Sequence, residues 1–76
     1  MAAPRNASFK PVVLPRSAAN YASPGTARTI YDEDARAYRI LVDTQTITKQ
    51  SLETFNSEGE AFRRWSETPL DWEPAK

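Results

Sequence analysis

A spacing of three and four residues between large side chains runs through the middle of the sequence. Such a spacing places side chains on one face of an α-helix, which has 3.6 residues per turn. Most charged residues fall between these positions and would face outward. The pattern predicts one long helix over about residues 30–56. The positions of its inward seam would be Tyr31, Asp34, Tyr38, Leu41, Gln45, Thr48, Leu52 and Phe55.

Part of the same stretch also alternates as a β-strand would. Five β-branched residues would share one face, and such side chains suit a pleated sheet. The opposite face would be mixed, and we find no second convincing strand or tight hairpin turn with which it could pair. The helix is therefore preferred, although helix and strand compete closely over residues 42–48. The β-branched set is Ile40, Val42, Thr44, Thr46 and Thr48.

The ends of the long helix are indicated by residues typical of helix caps. Thr29 can cap the N-terminus, because its hydroxyl can accept from a free backbone N–H of the first turn. The carboxylates of Asp32, Glu33 and Asp34 would follow it, where they interact favourably with the helix dipole. Asn56 can end the helix.

A second, short helix is predicted over about residues 58–66. Ser57 and Glu60 have the Ser-x-x-Glu spacing of a capping box, in which each side chain satisfies a backbone N–H at the helix start. Pro69 disfavours helical geometry at the residue before it and so ends the helix. An extended aromatic tail should follow. The apolar residues expected to bind a partner at this end are Trp65, Leu70 and Trp72. The alternative is that the two tryptophans fold back on the long helix of the same chain.

The first 28 residues are predicted to form an extended arm. Four of the six prolines fall there, and each fixes φ, removes an N–H and favours extended geometry at its predecessor. An apolar cluster between these prolines favours an arm that docks into a groove over a solvated tail. The anchors would be Phe9, Val12, Val13 and Leu14.

These patterns together predict a mainly α-helical chain with extended termini. It would consist of a basic Pro-rich arm (1–28), a long helix with a coiled-coil seam (29–56) and a short helix plus tail (57–76). A chain of 76 residues buries only roughly 60% of its unfolded surface. With no Cys and no His, it lacks disulfides and the usual zinc ligands. We therefore expect that it is not an independent globular domain.

Because the expected core is small, we expect partner subunits to supply the missing stability. Gln45 and Thr48 would lie inward in the middle of the seam, where identical chains could hydrogen-bond across their axis. A homodimer or homotrimer along the long helix is the preferred prediction, with packing against a different protein or an independent monomer as alternatives. The seam residues expected to bind a partner are Tyr38, Leu41, Leu52 and Phe55.

Charge is distributed unevenly although the formal net charge is zero. Residues 1–28 carry four bases and no acid, whereas residues 29–76 carry ten acids and six bases. A basic arm suits an oppositely charged surface. Four cations are too dilute to favour nucleic acid, where affinity grows with the number of phosphates neutralised. Proteins in a large assembly are therefore the expected partners.

No membrane or export signal is evident. No apolar run approaches the roughly 18 to 20 residues that span a bilayer, and the first ten residues lack the apolar core of a signal peptide. The expected location is a virion or the cytoplasm.

Catalytic chemistry is opposed by composition. Adjacent residues of a helix point apart, so the acids at 32–34 could not converge on one metal ion. The two glycines do not form a phosphate-binding loop, and the expected core is too small for a cofactor pocket. We therefore expect no enzyme activity and no cofactor.

An arm, a helix and an aromatic tail make a layout that resembles small virion proteins of tailed bacteriophages. These include cement proteins, fibre-anchoring adaptors and tail components, whose extended termini lace neighbouring subunits together. The resemblance is one of layout over the whole chain and rests on no shared motif. It implies a non-enzymatic structural subunit. The alternatives are a small regulatory protein that folds on one enzyme or polymerase, and a nucleic-acid accessory protein that uses the basic arm.

Overall fold

An antiparallel β-sheet, and not a long helix, is formed by the middle of the chain. The structure is a computed structural model that describes residues 12–20, 22 and 26–75. Five strands pair in chain order, each antiparallel to the next, and helix α1 connects β4 to β5. The prediction of a mainly α-helical chain with a helix over 30–56 is therefore wrong. The elements are β1 (Val12–Val13), β2 (Ala27–Asp32), β3 (Ala37–Asp43), β4 (Thr48–Ser51), α1 (Glu58–Glu67) and β5 (Trp72–Pro74).

The first hairpin turn occupies residues 33–36, where the sequence predicts the start of a helix. Asp32 Oδ1 accepts hydrogen bonds from the backbone N–H groups of Asp34 (2.9 Å) and Ala35 (3.1 Å). Such local bonds from an Asp side chain stabilise turns. Arg36 then adopts a left-handed backbone with φ of 54°, a conformation uncommon outside glycine. The turn therefore forms without Gly or Pro.

A threonine organises the second hairpin turn, over residues 44–47. Thr44 Oγ1 accepts from the N–H of Ile47 (3.0 Å) and lies within hydrogen-bonding distance of the Ile47 carbonyl (2.7 Å). The Thr44 N–H donates to the same carbonyl at 2.8 Å. This turn lies in the middle of the predicted long helix. It brings β4 beside β3, a pairing that the sequence analysis does not predict.

The inner face of the sheet, defined as the face covered by α1, contains the main core. Thr29 of β2 pairs with Ile40 of β3, and both are almost fully buried. Ala61 and Trp65 of α1 are buried against this face. The core cluster consists of Leu14, Ala22, Ala27, Ile40, Phe55, Ala61, Trp65 and Leu70. The chain therefore has an interior of its own, which corrects the expectation that it is not an independent globular domain.

The predicted short helix is confirmed. The Ser57 side chain accepts from the Glu60 N–H at 3.1 Å. Glu60 Oε1 reaches back and accepts from the Asn56 N–H at 2.8 Å. This is the reciprocal arrangement of a capping box, displaced by one residue at the second bond.

Among the described residues, no helix has both the length and the apolar character needed to cross a membrane.

Residues 14–20 pass along α1 and form a strap that holds it. The Trp65 Nε1–H donates to the Pro15 carbonyl at 2.7 Å. The Ser17 hydroxyl donates to the Trp65 carbonyl. Asn20 Nδ2 donates to the same carbonyl at 2.9 Å and to the Thr68 carbonyl. The strap therefore satisfies carbonyl groups at the end of α1 that have no partner within the helix.

We expect Asn20→Ala to lower the free energy of unfolding by about 2–4 kcal/mol, since each of its hydrogen bonds contributes about 1 kcal/mol. The substitution removes both bonds donated by Nδ2 and the bond that Oδ1 accepts from the Leu70 N–H at 2.8 Å. Urea unfolding followed by tryptophan fluorescence measures the change. The control is Asn56→Ala, at an exposed position, with an expected loss below about 0.5 kcal/mol. Equal losses in the two variants would contradict the role of the strap.

Candidate protein-binding surfaces

Four of the residues predicted to bind a partner lie in the core of this chain. Trp65 and Phe55 are each 1% exposed. Leu14 and Leu70 are buried beside them, on either side of α1 in the sequence. Burial within the chain accounts for their apolar character, and a contact with a partner stays a prediction.

Three further predicted residues surround the core. Tyr38 packs edge-on against Tyr31, with ring centroids 5.2 Å apart, and Trp72 packs edge-on against Trp65 at 6.3 Å. Both Tyr38 and Trp72 are half-buried. Leu41 is buried on the outer face of the sheet, opposite to α1. The structure therefore separates Leu41 from the other two, although the helix prediction places it beside Tyr38.

Exposed apolar side chains include three of the predicted residues. Val12 is 47% exposed, Val13 61% and Leu52 52%. The valines form β1 at one edge of the sheet, whereas Leu52 follows β4. Phe9 lies outside the described residues. The structure thus brings Val12 and Val13 together and leaves Leu52 elsewhere.

Phe62 of α1 is another exposed apolar residue. It is 46% exposed. Arg64 binds Glu53, after β4, through its guanidinium, and helix residues rotate by 100° each. Phe62 is two positions before Arg64 and so lies about 200° from it around the helix. The Phe62 side chain therefore lies on the side of α1 away from Glu53. Glu58, one turn before Phe62, lies 3.5 Å from Thr29 of β2.

Val12 and Val13 together define the edge patch. Val12 pairs with Thr29 and Val13 with Arg28, so the Val12 side chain lies on the face of the sheet that carries α1 and the Val13 side chain lies on the opposite face. The Leu14 N–H donates to the Ala27 carbonyl at 2.7 Å. Backbone groups alternate in direction along an antiparallel strand, so those of Val13 point away from β2. The patch therefore combines apolar side chains with an outward-facing strand backbone.

The opposite edge of the sheet is built differently. β5 contains Trp72, Glu73 and Pro74, and it pairs with β4 alone among the described strands. A charge and a proline on an edge strand discourage pairing with another chain, because the proline has no N–H to donate. Two exposed valines on β1 have no such effect, so the edge patch is the better candidate interface.

An open groove lies across the outer face of the sheet and is named here the outer groove. Its volume is about 700 Å³, and apolar side chains of Ile30 and Leu41 lie within it. The Gln50 side chain donates to Glu73 along its β4–β5 side. Acidic residues of the first hairpin turn line its other end. Among the described residues, the lining charges are Asp32, Glu33, Asp34, Arg39 and Glu73, which sum to −3 from four acids and one base.

Arg39 is held in place by bonds from both sides of the outer groove. Its Nε donates to Asp32 Oδ2 at 2.7 Å, and its Nη1 donates to the Ser51 carbonyl at 2.7 Å. The hydrogen bond from Arg39 lowers the pKa of Asp32, assisted by the N–H groups of Ala35 and Asp34. One guanidinium thus joins the first turn to the end of β4, and the remaining acids of the outer groove keep their excess charge.

A second acid is stabilised on the same face. The Thr48 hydroxyl donates to Asp43 Oδ1 at 2.7 Å and lowers the pKa of Asp43, with a further contribution from Arg28. Arg28 and Asp43 form an ion pair between β2 and β3. One of the four cations in the basic first 28 residues is therefore neutralised within the chain.

A smaller depression of about 410 Å³ lies near the second hairpin turn, with Val42, Lys49 and Trp72 in its lining. Within the described ranges, no group of three His, Cys, Asp or Glu residues is arranged to hold a metal ion.

The topology defines a small domain with an antiparallel five-stranded sheet in chain order and one helix on its inner face. Comparison with protein families, with curated protein sequences and with solved structures gives no match.

The ion pair between Asp32 and Arg39 should make stability depend on pH. Because the folded state lowers the pKa of Asp32 below its ordinary value of 3.8, the pair stabilises the chain above that value. This stabilisation is lost as the pH falls through the lowered pKa. Asp32→Asn keeps an oxygen for the turn but removes the carboxylate. We expect the unfolding free energy of Asp32→Asn to vary less than wild type between about pH 5 and pH 2.

Urea unfolding at a series of pH values measures this difference. Glu33→Gln is the control, because it removes one negative charge from an exposed neighbour in the same turn and leaves the Asp32–Arg39 pair intact. It should keep the pH dependence of the wild type. Parallel curves for Asp32→Asn and the wild type would contradict the stabilising role of the pair.

Proposed function

We propose that this chain is a non-enzymatic assembly subunit that joins neighbouring proteins in a large complex. A minor virion protein of a tailed bacteriophage is the kind of subunit that we favour, as a cement, fibre-anchoring or tail component. The observation that carries the proposal is the edge patch. There Val12 and Val13 are 47% and 61% exposed on an edge strand.

Edge strands with exposed apolar residues can pair with strands of other chains. A neighbouring strand could bond to the outward backbone groups of Val13, while side chains cover the patch, which is the mode of β-strand addition. Covering these two half-exposed side chains contributes roughly 1 kcal/mol each. Micromolar affinity requires about 8 kcal/mol, so a stable complex needs a second contact surface as well.

The two alternative functions have less support among the described residues. The ion pair of Arg28 with Asp43 leaves fewer cations of the first 28 residues available for phosphate groups. A regulatory protein that folds only on its target would not need the core that surrounds Trp65. Both stay predictions without a structural observation in their favour.

The proposal predicts that the chain co-sediments with a high-mass assembly from its native host, and that Val13→Lys abolishes this. A charge at the centre of the edge patch opposes its burial, whereas the free chain should keep its fold because Val13 is exposed. The measurement is gradient sedimentation of the tagged chain, with quantitative mass spectrometry of each fraction.

Ile47→Lys is the matched control. Ile47 is 40% exposed in the turn between β3 and β4, away from the edge patch, and this variant should co-sediment as the wild type does. The proposal fails if the wild-type chain sediments alone throughout the gradient, or if Val13→Lys enters the assembly as well as the control.

A further inference from the structure

We propose that the outer groove binds a segment of its own chain, residues 1–11, named here the leading segment. The inference goes beyond the proposed function and does not depend on it, because both sides of the contact belong to one polypeptide. The leading segment precedes the described residues and is joined to them at Val12. Phe9 would contact the apolar floor of the groove, and Arg5 and Lys10 would bind its acids.

The outer groove has an excess of negative charge that the described residues do not neutralise. Arg39 is the one cation in the described part of its lining, and its guanidinium is bound to Asp32. The exposed carboxylates of Glu33 and Asp34 form no ion pair within the part of the chain that the structure describes. A segment that brings positive charge to this end is therefore favoured electrostatically.

The leading segment has the complementary composition. It contains Arg5 and Lys10 and no acid, a charge of +2 against the −3 of the described groove lining. Phe9 stands between these two cations in the sequence and supplies an apolar ring that can pack on Ile30 and Leu41. The segment therefore carries both kinds of group that the groove can bind.

The direction of β1 brings the leading segment to the acidic end of the outer groove. Val12 lies opposite Thr29 and Val13 lies opposite Arg28, so the chain enters β1 from the side of the first hairpin turn. Ile30 directly follows Thr29 in β2 and lines the groove. The point at which the leading segment joins the sheet therefore lies beside one end of the groove.

The outer face of the sheet is the open one where the leading segment begins. On the inner face, Thr29 is 1% exposed, and Glu58 Oε2 of α1 lies 3.5 Å from its hydroxyl, so the helix already covers this position. Among the described elements, no helix or strand covers the outer face of β2 and β3. The groove is thus the nearest uncovered surface.

Length and tethering both favour docking within one chain. Eleven extended residues reach roughly 36 Å at about 3.3 Å each, whereas β2 and β5 are separated by three strand spacings, or about 14 Å. A segment tethered by a short connection has an effective concentration in the millimolar range. Modest contacts therefore suffice for docking, and a separate basic partner would need sub-millimolar affinity to displace the segment.

A nitroxide spin label tests the contact in the full chain by nuclear magnetic resonance. The sequence has no Cys, so Ala7→Cys supplies a single attachment site within the leading segment. We expect paramagnetic broadening of the backbone amide signals of Leu41, Gln50 and Ala75, which line the outer groove. The amide signal of Arg63, exposed on α1 at the inner face, should stay sharp. The same sample after reduction of the nitroxide is the reference.

Charge reversal in the spin-labelled chain tests the acids and bases directly. Arg5→Glu with Lys10→Glu, or Glu33→Lys with Asp34→Lys, should lower the ratio of docked to undocked segment about tenfold, since one exposed ion pair contributes up to about fivefold. All four substitutions together restore opposite charges and should recover the broadening. Raising the salt from about 0.05 M to 0.5 M should reduce it, because exposed charges are screened. Circular dichroism confirms that each variant is folded.

The control for net charge is the double substitution Glu67→Lys and Asp71→Lys. Both residues are exposed and neither lines the outer groove, while the total charge changes by the same amount as in the groove variant. This control should keep the broadening of the labelled parent chain. The proposal is overturned if the parent chain shows no broadening in the groove, or if the groove variant and this control behave alike.

A mixing experiment separates docking within one chain from docking between copies. Chains that carry the nitroxide but no isotope label are mixed with isotope-labelled chains that carry no nitroxide. We expect sharp groove signals in this mixture, because each groove is occupied by the leading segment of its own chain. Broadening in the mixture as strong as in the singly labelled chain would assign the groove to a second copy and overturn the proposal.

Discussion

The burial of one indole ring holds the three parts of this small structure together. Trp65 is 1% exposed, and its ring meets Trp72 of β5 edge-on. Its Nε1–H binds the Pro15 carbonyl, and its own carbonyl accepts from Ser17 and Asn20. A large side chain with every polar group satisfied can stabilise a domain that has few other buried residues. The helix, the strap and the last strand all depend on it.

The surfaces depend on the same interaction. The strap leads directly from β1, so the bonds that fix residues 15–20 against α1 also fix where Val12 and Val13 lie at the sheet edge. β1 has only two residues and pairs with β2 alone among the described strands. Such a short strand has little stability of its own. An ordered edge patch is therefore a consequence of the buried tryptophan.

The short helix could be predicted from sequence because its signals are local. Ser57 and Glu60 cap it by bonds within four residues, and Pro69 stops it nearby. The long helix was predicted wrongly because the two hairpin turns contain neither Gly nor Pro. The residues that form these turns are Asp32 and Thr44. Asp and Thr are favoured in turns and also at helix starts, so they do not distinguish the two. Pairing between strands is set by contacts distant in sequence, which a local pattern does not contain.

The three-four spacing of large residues has a different cause in the sheet. Tyr38 and Leu41 lie on opposite faces, because side chains alternate along β3, and each face has its own apolar layer. Phe55 rejoins β3 through two backbone bonds with Tyr38, after residues 52–54 bulge out of the pairing with β3. The helical spacing is thus produced by two buried faces and a bulge.

The two candidate surfaces differ in how far local sequence patterns could predict them. The valines of β1 stand out in sequence as apolar residues between prolines, and both are exposed. The outer groove could not be foreseen, since it combines acids of the first turn with Leu41 and with Glu73 of β5. A helix would have placed Glu33 and Asp34 on a solvated first turn. Only the antiparallel register brings them to the end of an apolar groove.

Rigidity of the outer groove follows from the way Arg39 is bound. The guanidinium joins Asp32, at the start of the first turn, to the carbonyls of Ser51 and Leu52, where β4 ends. Ser51 is fully buried, and its hydroxyl accepts from the Ile40 N–H and donates to the Glu53 carbonyl. The bulge at residues 52–54 and the first hairpin turn are therefore connected through β3. A groove whose two ends are fixed to the same strand loses little conformational entropy when a ligand binds, and this favours affinity from modest contacts.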